Sequence, residues 1–249
     1  MNARINGCML KAGAAALVLG LLAACASGPK PADWQLEAKG ATDRAVAAYM
    51  EGNPRVEAVE FTRARAEISA TGRMDLMARA ELLRCATRVA SLVLEPCAAF
   101  ETMRADAPPA ERAYADYLAG TLKPQDAAWL PEAQRAAASA TSDGGAAAAV
   151  QAITDPLSQL VAAGVALQSG RANPALVRQA VDTASAQGWR RPLLAWLGVQ
   201  ASLADKAGDA VEAARVRRRI VLVENAPLPR PSASPAAVIA PALIFPAAR

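Results

Sequence analysis

The chain has 249 residues, of which 53% are hydrophobic and 4% aromatic, with 27 basic and 23 acidic side chains. A charge so close to balance gives no domain-wide basic face for nucleic acid. The absence of histidine excludes Ser-His-Asp and Cys-His catalysis and removes the commonest zinc ligand. No glycine-rich phosphate-binding motif occurs. The sequence therefore predicts no cofactor, no metal site, no nucleic-acid partner and no enzymatic activity.

Alanine dominates the hydrophobic residues, and this choice indicates the fold class. Alanine has the highest helix propensity, whereas the threonine, isoleucine and tyrosine that favour strands are sparse. We therefore predict an all-α fold in which alanine-lined faces allow helices to pack closely.

A short apolar stretch near the start follows two basic residues, Arg4 and Lys11, and ends at the segment Leu22-Ala23-Ala24-Cys25. The run is about 13 residues long, whereas a helix needs about 20 to span a bilayer. A basic start, a short apolar run and small residues at its end are typical of a secretory leader. The sequence therefore predicts a signal peptide over residues 1–24 rather than a transmembrane helix.

The segment Leu22-Ala23-Ala24-Cys25 resembles the lipobox of bacterial lipoproteins, which has a branched residue, two small residues and then cysteine. The resemblance implies cleavage before Cys25, which would then carry a diacylglyceryl thioether and an amide-linked acyl chain such as palmitate. Ala26, not aspartate, follows the cysteine, and the family's sorting rule then implies anchoring at the periplasmic face of the outer membrane. An ordinary leader with a chance cysteine is the alternative.

Composition divides the rest of the chain into four parts. A tether (25–32) precedes an N-terminal helical subdomain (33–140) and a C-terminal helical subdomain (146–225), and a proline-rich tail (226–249) follows. The segment 141–145, Thr-Ser-Asp-Gly-Gly, is the strongest internal loop signal and sets the boundary between the subdomains.

Periodic apolar residues, punctuated by glycine and proline, predict the helices. The expected ranges are 33–51, 54–70, 74 to at most 95, where Glu95-Pro96 ends the region, 98–104, 110–118, 156–169, 174–187, 192–207 and 209–223, with short helices around the prolines at 124 and 131. Connections of two to six residues indicate antiparallel neighbours. We therefore predict stacked antiparallel helical hairpins.

Two stretches resemble degenerate tetratricopeptide repeats, a family of helical hairpins. The residues that fit the family spacing are Ala45, Ala48, Gly52, Phe61 and Ala64 in the first stretch and Leu197, Ala201, Ala204, Gly208 and Ala213 in the second. Glu57 replaces a family alanine and Arg217 replaces a family aromatic residue. Small residues match easily in an alanine-rich chain, so an irregular helical bundle is an equal alternative.

Cys85 and Cys97 are the two thiols that remain once the leader is removed and Cys25 is lipidated. An oxidising compartment favours a disulfide between them, with two buried thiols as the alternative. A disulfide holds the two Cα atoms about 4.4–6.8 Å apart, so the third helix must end near residue 90 or 91, and residues 92–96 must form a returning loop.

The densest charge feature is the basic run Arg215, Arg217, Arg218 and Arg219. Such runs usually form a solvated helix face, and the alternative is a patch for anionic lipid or lipopolysaccharide phosphates. In the tail, six scattered prolines exclude a helix and predict disorder or polyproline structure. Its apolar segment 238–245 is either loose or docks on a partner or on the fold.

These features predict a membrane-anchored periplasmic lipoprotein that serves as a helical adaptor or scaffold for an envelope protein. Two alternatives stay open: a carboxylate-dependent cell-wall hydrolase and a purely structural envelope lipoprotein. Two facing carboxylates in a pocket would favour the hydrolase, and a groove lined by leucine, alanine and arginine without such a pair would favour the adaptor.

Overall fold

A computed structural model describes residues 31–227. The predicted signal peptide, the lipid attachment at Cys25, the tether up to residue 30 and the tail from residue 228 lie outside the described residues. Within 31–227 the fold is all-helical and contains no strand, which confirms the predicted fold class.

The helices of the described region follow the predicted order closely. They are α1 (Asp33–Glu51), α2 (Pro54–Ser69), α3 (Met74–Ala90), α4 (Ala98–Glu101), α5 (Pro109–Leu118), a 3-10 helix (Pro124–Trp129), α6 (Glu132–Ser139), α7 (Asp143–Gln151), α8 (Pro156–Gln168), α9 (Pro174–Ala186), α10 (Arg190–Lys206) and α11 (Ala210–Glu224).

Polar N-cap side chains determine where several of these helices begin. The side chains of Asn53, Asp155 and Asn173 each accept a hydrogen bond from a backbone N–H in the first turn, and proline follows each of them. The cap satisfies a donor that has no partner inside the helix, and proline lacks an N–H that would need one. These Asn-Pro and Asp-Pro pairs are the reason that the sequence places the helix starts accurately.

The loop predicted at 141–145 is wrong over its second half. Ser142 caps α7 by accepting a hydrogen bond from the N–H of Gly145, so both Gly144 and Gly145 lie in the first turn of a helix. The serine supplies a strong start signal that outweighs the low helix propensity of two glycines. Residues on both sides of Ser142 contribute to one apolar core.

Contacts between side chains show that successive helices run antiparallel. Arg44 of α1 pairs with Glu60 of α2 at 2.9 Å, and the two residues lie at nearly equal distances in sequence from the intervening turn. At the other end of the fold, Gln200 of α10 donates to Glu212 of α11, and Arg190 at the start of α10 donates to the carbonyl of Glu224 at the end of α11. The hairpins predicted from short connections are therefore present at both ends.

Helices α3 and α8 form the central pair, and each packs against at least four other elements. They cross where Gly164 of α8 meets Val89 of α3. A Cβ atom placed on Gly164 would lie 2.4 Å from the Val89 carbonyl oxygen. Only a residue without a side chain allows this approach.

The C-terminus of α3 is held by partners from distant parts of the chain. Trp196 of α10 donates its indole N–H to the carbonyl of Ala90 at 3.1 Å. The N–H groups of Leu92 and Val93 return to the carbonyls of Val89 and Arg88, which closes a Schellman motif. Leu92 has a φ of 59°, at the position that glycine usually occupies.

The same helix end brings the two cysteines together. Helix α3 ends at Ala90, residues 91–97 return as a loop, and the Cα atoms of Cys85 and Cys97 lie 5.8 Å apart, at disulfide distance. The early helix end that a disulfide requires is therefore confirmed. Cys85 is buried, and the linkage connects α3 to the start of α4.

None of the helices between residues 31 and 227 has the length and apolar character needed to cross a bilayer.

We expect Gly164→Ala to destabilise the protein by about 2–3 kcal/mol, because the new methyl group would press on backbone atoms that cannot move aside cheaply. Gly198→Ala is the matched control, since Gly198 lies exposed in α10 with no atom within 4 Å of an added Cβ. It should stabilise by about 0.5–1 kcal/mol through helix propensity. Urea unfolding of the three proteins measures both changes, and equal stability of the two variants would contradict the close crossing.

We also expect non-reducing mass spectrometry of protein from cells to find a linked Cys85–Cys97 peptide. The double variant Cys85→Ala/Cys97→Ala should lose about 2–3 kcal/mol of stability, because the unfolded chain would no longer be constrained. Two thiols that alkylate freely in unreduced protein would show that the linkage is absent.

Candidate functional site

The basic run singled out in the sequence lies on α11, and half of it is neutralised. Arg215 pairs with Glu212 of the same helix, and Arg217 pairs with Asp205 of α10, both at 2.6 Å. Within residues 31–227, Arg218 and Arg219 make no ion pair. All four side chains stand at the surface rather than in a cleft.

A cleft elsewhere has the shape of a binding site. It is about 220 Å³ in volume and opens between α3, α5 and the 3-10 helix. We call it the α3–α5 cleft, and it is lined by Arg79, Leu82, Leu83, Ala110, Glu111, Tyr114, Trp129, Leu130 and Pro131. Ligand pockets usually measure about 300–1,000 Å³, so this cleft fits a side chain or a short segment better than a cofactor.

An ion pair lies at the edge of the cleft. Glu111 stands in the first turn of α5, which Pro108 and Pro109 start, and its Oε1 accepts a hydrogen bond from Nε of Arg79 at 2.5 Å. The Glu111 side chain is only 6% exposed, and its Oε2 has no hydrogen-bond partner among the described residues. A carboxylate so poorly hydrated depends on the arginine.

Tyr114 and Tyr117 stand one turn apart on α5, with ring centroids 6.1 Å apart. Burial raises the pKa of both hydroxyls, with a smaller contribution from Asp155 at Tyr114. The Tyr117 hydroxyl donates to the buried Gln134, whose amide donates to the carbonyl of Ser158. This network fixes α5 against α6 and α8, and so gives the cleft a rigid wall.

Trp129 forms the rim of the cleft and is 55% exposed. Trp129 is the last residue of the 3-10 helix. Pro124 is the first residue of that helix, and Pro131 follows two positions after Trp129. Its neighbour Leu130 is buried on the cleft wall. An exposed tryptophan beside an apolar wall is a typical anchor of protein interfaces.

A second cluster joins arginines to aromatic rings around α1. The guanidinium groups of Arg88 and Arg191 lie 5.2 and 4.4 Å from the ring centroid of Tyr49, and Arg191 donates to the Tyr49 carbonyl. Glu57 is buried and pairs with Arg84 at 2.7 Å. These contacts tie α1, α2 and α3 to the start of α10, and the adjoining cavity of about 10 Å³ is too small for a ligand.

The described clefts bring no two carboxylates together. Glu111 is the acidic residue that lines the α3–α5 cleft, Glu57 lines the small cavity, and Asp182 lines an open groove between α7, α8 and α9. No group of three potential metal ligands occurs within residues 31–227. The arrangement can bind a polar group beside an apolar one, and it contains no acid–base pair.

Sequence reasoning did not find the α3–α5 cleft. Glu111 and Asp116 lie five positions apart in the sequence, and in the structure they pair with different arginines, Arg79 and Arg104. The sequence shows that Tyr114 and Tyr117 lie three positions apart, which places them one turn apart on a helix. Arg79 pairs with Glu111, which lies 32 positions away, so no local sequence pattern predicts this ion pair.

Comparison with models of known protein families found no match, and no curated protein and no solved structure matches the chain. The functional argument therefore rests on the sequence motifs, the fold and the cleft.

We expect Arg79→Met to cost about 2 kcal/mol, because it leaves the buried Glu111 carboxylate without its cation. The value lies below that of a fully buried pair, since Arg79 is partly exposed. The double variant Arg79→Met/Glu111→Leu should recover most of the loss, and Arg215→Met, at an exposed pair, should have no measurable effect. Urea unfolding checks the series; a double variant as unstable as the single one would contradict the pairing.

Proposed function

We propose that the protein is a lipid-anchored envelope lipoprotein, and that its helical domain is an adaptor for a protein partner. The anchor rests on Leu22-Ala23-Ala24-Cys25, and the outer-membrane location rests on Ala26. The cysteines at disulfide distance are consistent with the oxidising periplasm.

The observation that carries the adaptor proposal is the α3–α5 cleft. Leucine, alanine and one arginine form most of its lining, with the half-exposed Trp129 at the rim. An apolar cleft with one ion pair and an aromatic edge suits a protruding apolar side chain of a partner.

The two alternatives differ from the adaptor in what they require. A carboxylate-dependent cell-wall hydrolase needs a facing carboxylate pair, and the cleft offers Glu111 alone. A purely structural lipoprotein needs no cleft. Incubation of the purified chain with cell wall tests the hydrolase alternative, because release of soluble fragments would favour it.

We expect metabolic labelling with an alkyne-palmitate to mark the wild-type protein and not Cys25→Ser, because the thiol is the attachment point of the lipid. Cys8→Ser is the matched control and should keep the label, since residue 8 lies in the predicted leader. A labelled Cys25→Ser protein would refute the anchor.

Photocrosslinking in intact cells tests the adaptor proposal. A photocrosslinking residue in place of Trp129 should capture one discrete protein, whereas the same residue in place of Val59, 59% exposed on α2, should not. Adding Ala110→Gln, which extends a side chain into the cleft, should abolish the capture. Equal capture from both positions, or capture that survives Ala110→Gln, would exclude the cleft as the docking site.

A further inference from the structure

The outer face of α11 combines exposed aliphatic and cationic side chains in one line. Val211, Arg215, Arg218 and Leu222 follow one another at spacings of four, three and four, which places them on one side of a helix. Val211 is 82% exposed and Leu222 is 73% exposed. The opposite side of α11 packs on α10 through the buried Ala213 and Val216.

The charge of this face lies mostly toward the C-terminal end of the helix. Arg218 and Arg219 make no ion pair within the described residues, and the neighbouring Arg217 binds Asp205. Arg190 lies beside this end and donates to the Glu224 carbonyl. The acidic side chains on α11 are Glu212, which Arg215 neutralises, and Glu224. The last two turns therefore present two guanidinium groups outside any described ion pair next to exposed aliphatic carbons, and Arg215, with a smaller contribution from Arg219, lowers the pKa of the Glu212 carboxyl.

We propose that this face of α11 lies on an anionic phospholipid surface. Arginine groups reach the lipid phosphates while their stems and the aliphatic side chains rest at the acyl boundary, which is the behaviour of basic amphipathic helices. The face has no aromatic residue such as those that anchor protein interfaces. The contact orients the helical domain on the membrane, whereas the lipid on Cys25 retains it there.

The experiment uses the chain from Ala26 onward, without lipid, so that its outcome is independent of the anchor and of the cleft. The described apolar core lies entirely between Ala38 and Val216 and is complete in this chain; circular dichroism first verifies that it is folded. We expect it to sediment with vesicles of phosphatidylglycerol and phosphatidylcholine, and not with phosphatidylcholine alone. Raising the salt from about 0.1 M to about 1 M, which shortens the Debye length from about 10 to about 3 Å, should release it.

Two matched pairs of variants locate the contact. Arg218→Gln/Arg219→Gln should weaken vesicle binding about 30-fold, the effect of two cations removed from an anionic surface. Arg55→Gln/Arg178→Gln removes two exposed arginines from α2 and α9 and should change it less than 3-fold. Leu222→Gln should also weaken binding, and Leu36→Gln, at an exposed leucine of α1, should not.

Three outcomes would overturn the proposal. Equal losses from both arginine pairs would show a general effect of net charge. Binding that resists salt, or that is equal on neutral vesicles, would exclude recognition of anionic lipid. Absence of binding by the folded chain, with an acidic protein captured on α11 instead, would assign the face to a protein partner.

Discussion

The contact between Gly164 and the backbone of Val89 is the constraint on which the rest of the fold depends. It sets the separation of the central helices α3 and α8, and those two helices carry contacts to most of the others. An added methyl group would have to push apart two backbones rather than two flexible side chains. Both the Trp196 bond and the cysteine pair lie at the same end of α3, so the position of one helix terminus determines how three segments meet.

The helix boundaries were largely predictable because the residues that set them act on their immediate neighbours in the sequence. Asn53-Pro54, Asp155-Pro156 and Asn173-Pro174 each place a capping side chain directly before a proline, and a cap acts on its own neighbours whatever the tertiary structure. The end of α3 was predictable for a different reason, since a disulfide allows only a narrow range of Cα separations. The error at Gly144-Gly145 arose from weighing glycine above the capping serine.

The α3–α5 cleft was not predictable because its parts come from separate elements. Arg79 and Glu111 read as ordinary surface charges in the sequence, and their burial depends on how α5 docks against α3. Trp129 gives no sign in the sequence that it stays half exposed while Leu130 turns inward. The basic run was visible, yet its pairing with Glu212 and Asp205 was not, and that pairing leaves the charge concentrated at one end of α11.

The indole bond from Trp196 to the Ala90 carbonyl has a consequence for the order in which the chain matures. The two residues are 106 positions apart, and the ribosome makes the N-terminal one first. Until α10 has been made, the Ala90 carbonyl at the end of α3 lacks its indole donor. The end of α3 therefore acquires its native indole hydrogen bond only after most of the domain has been made.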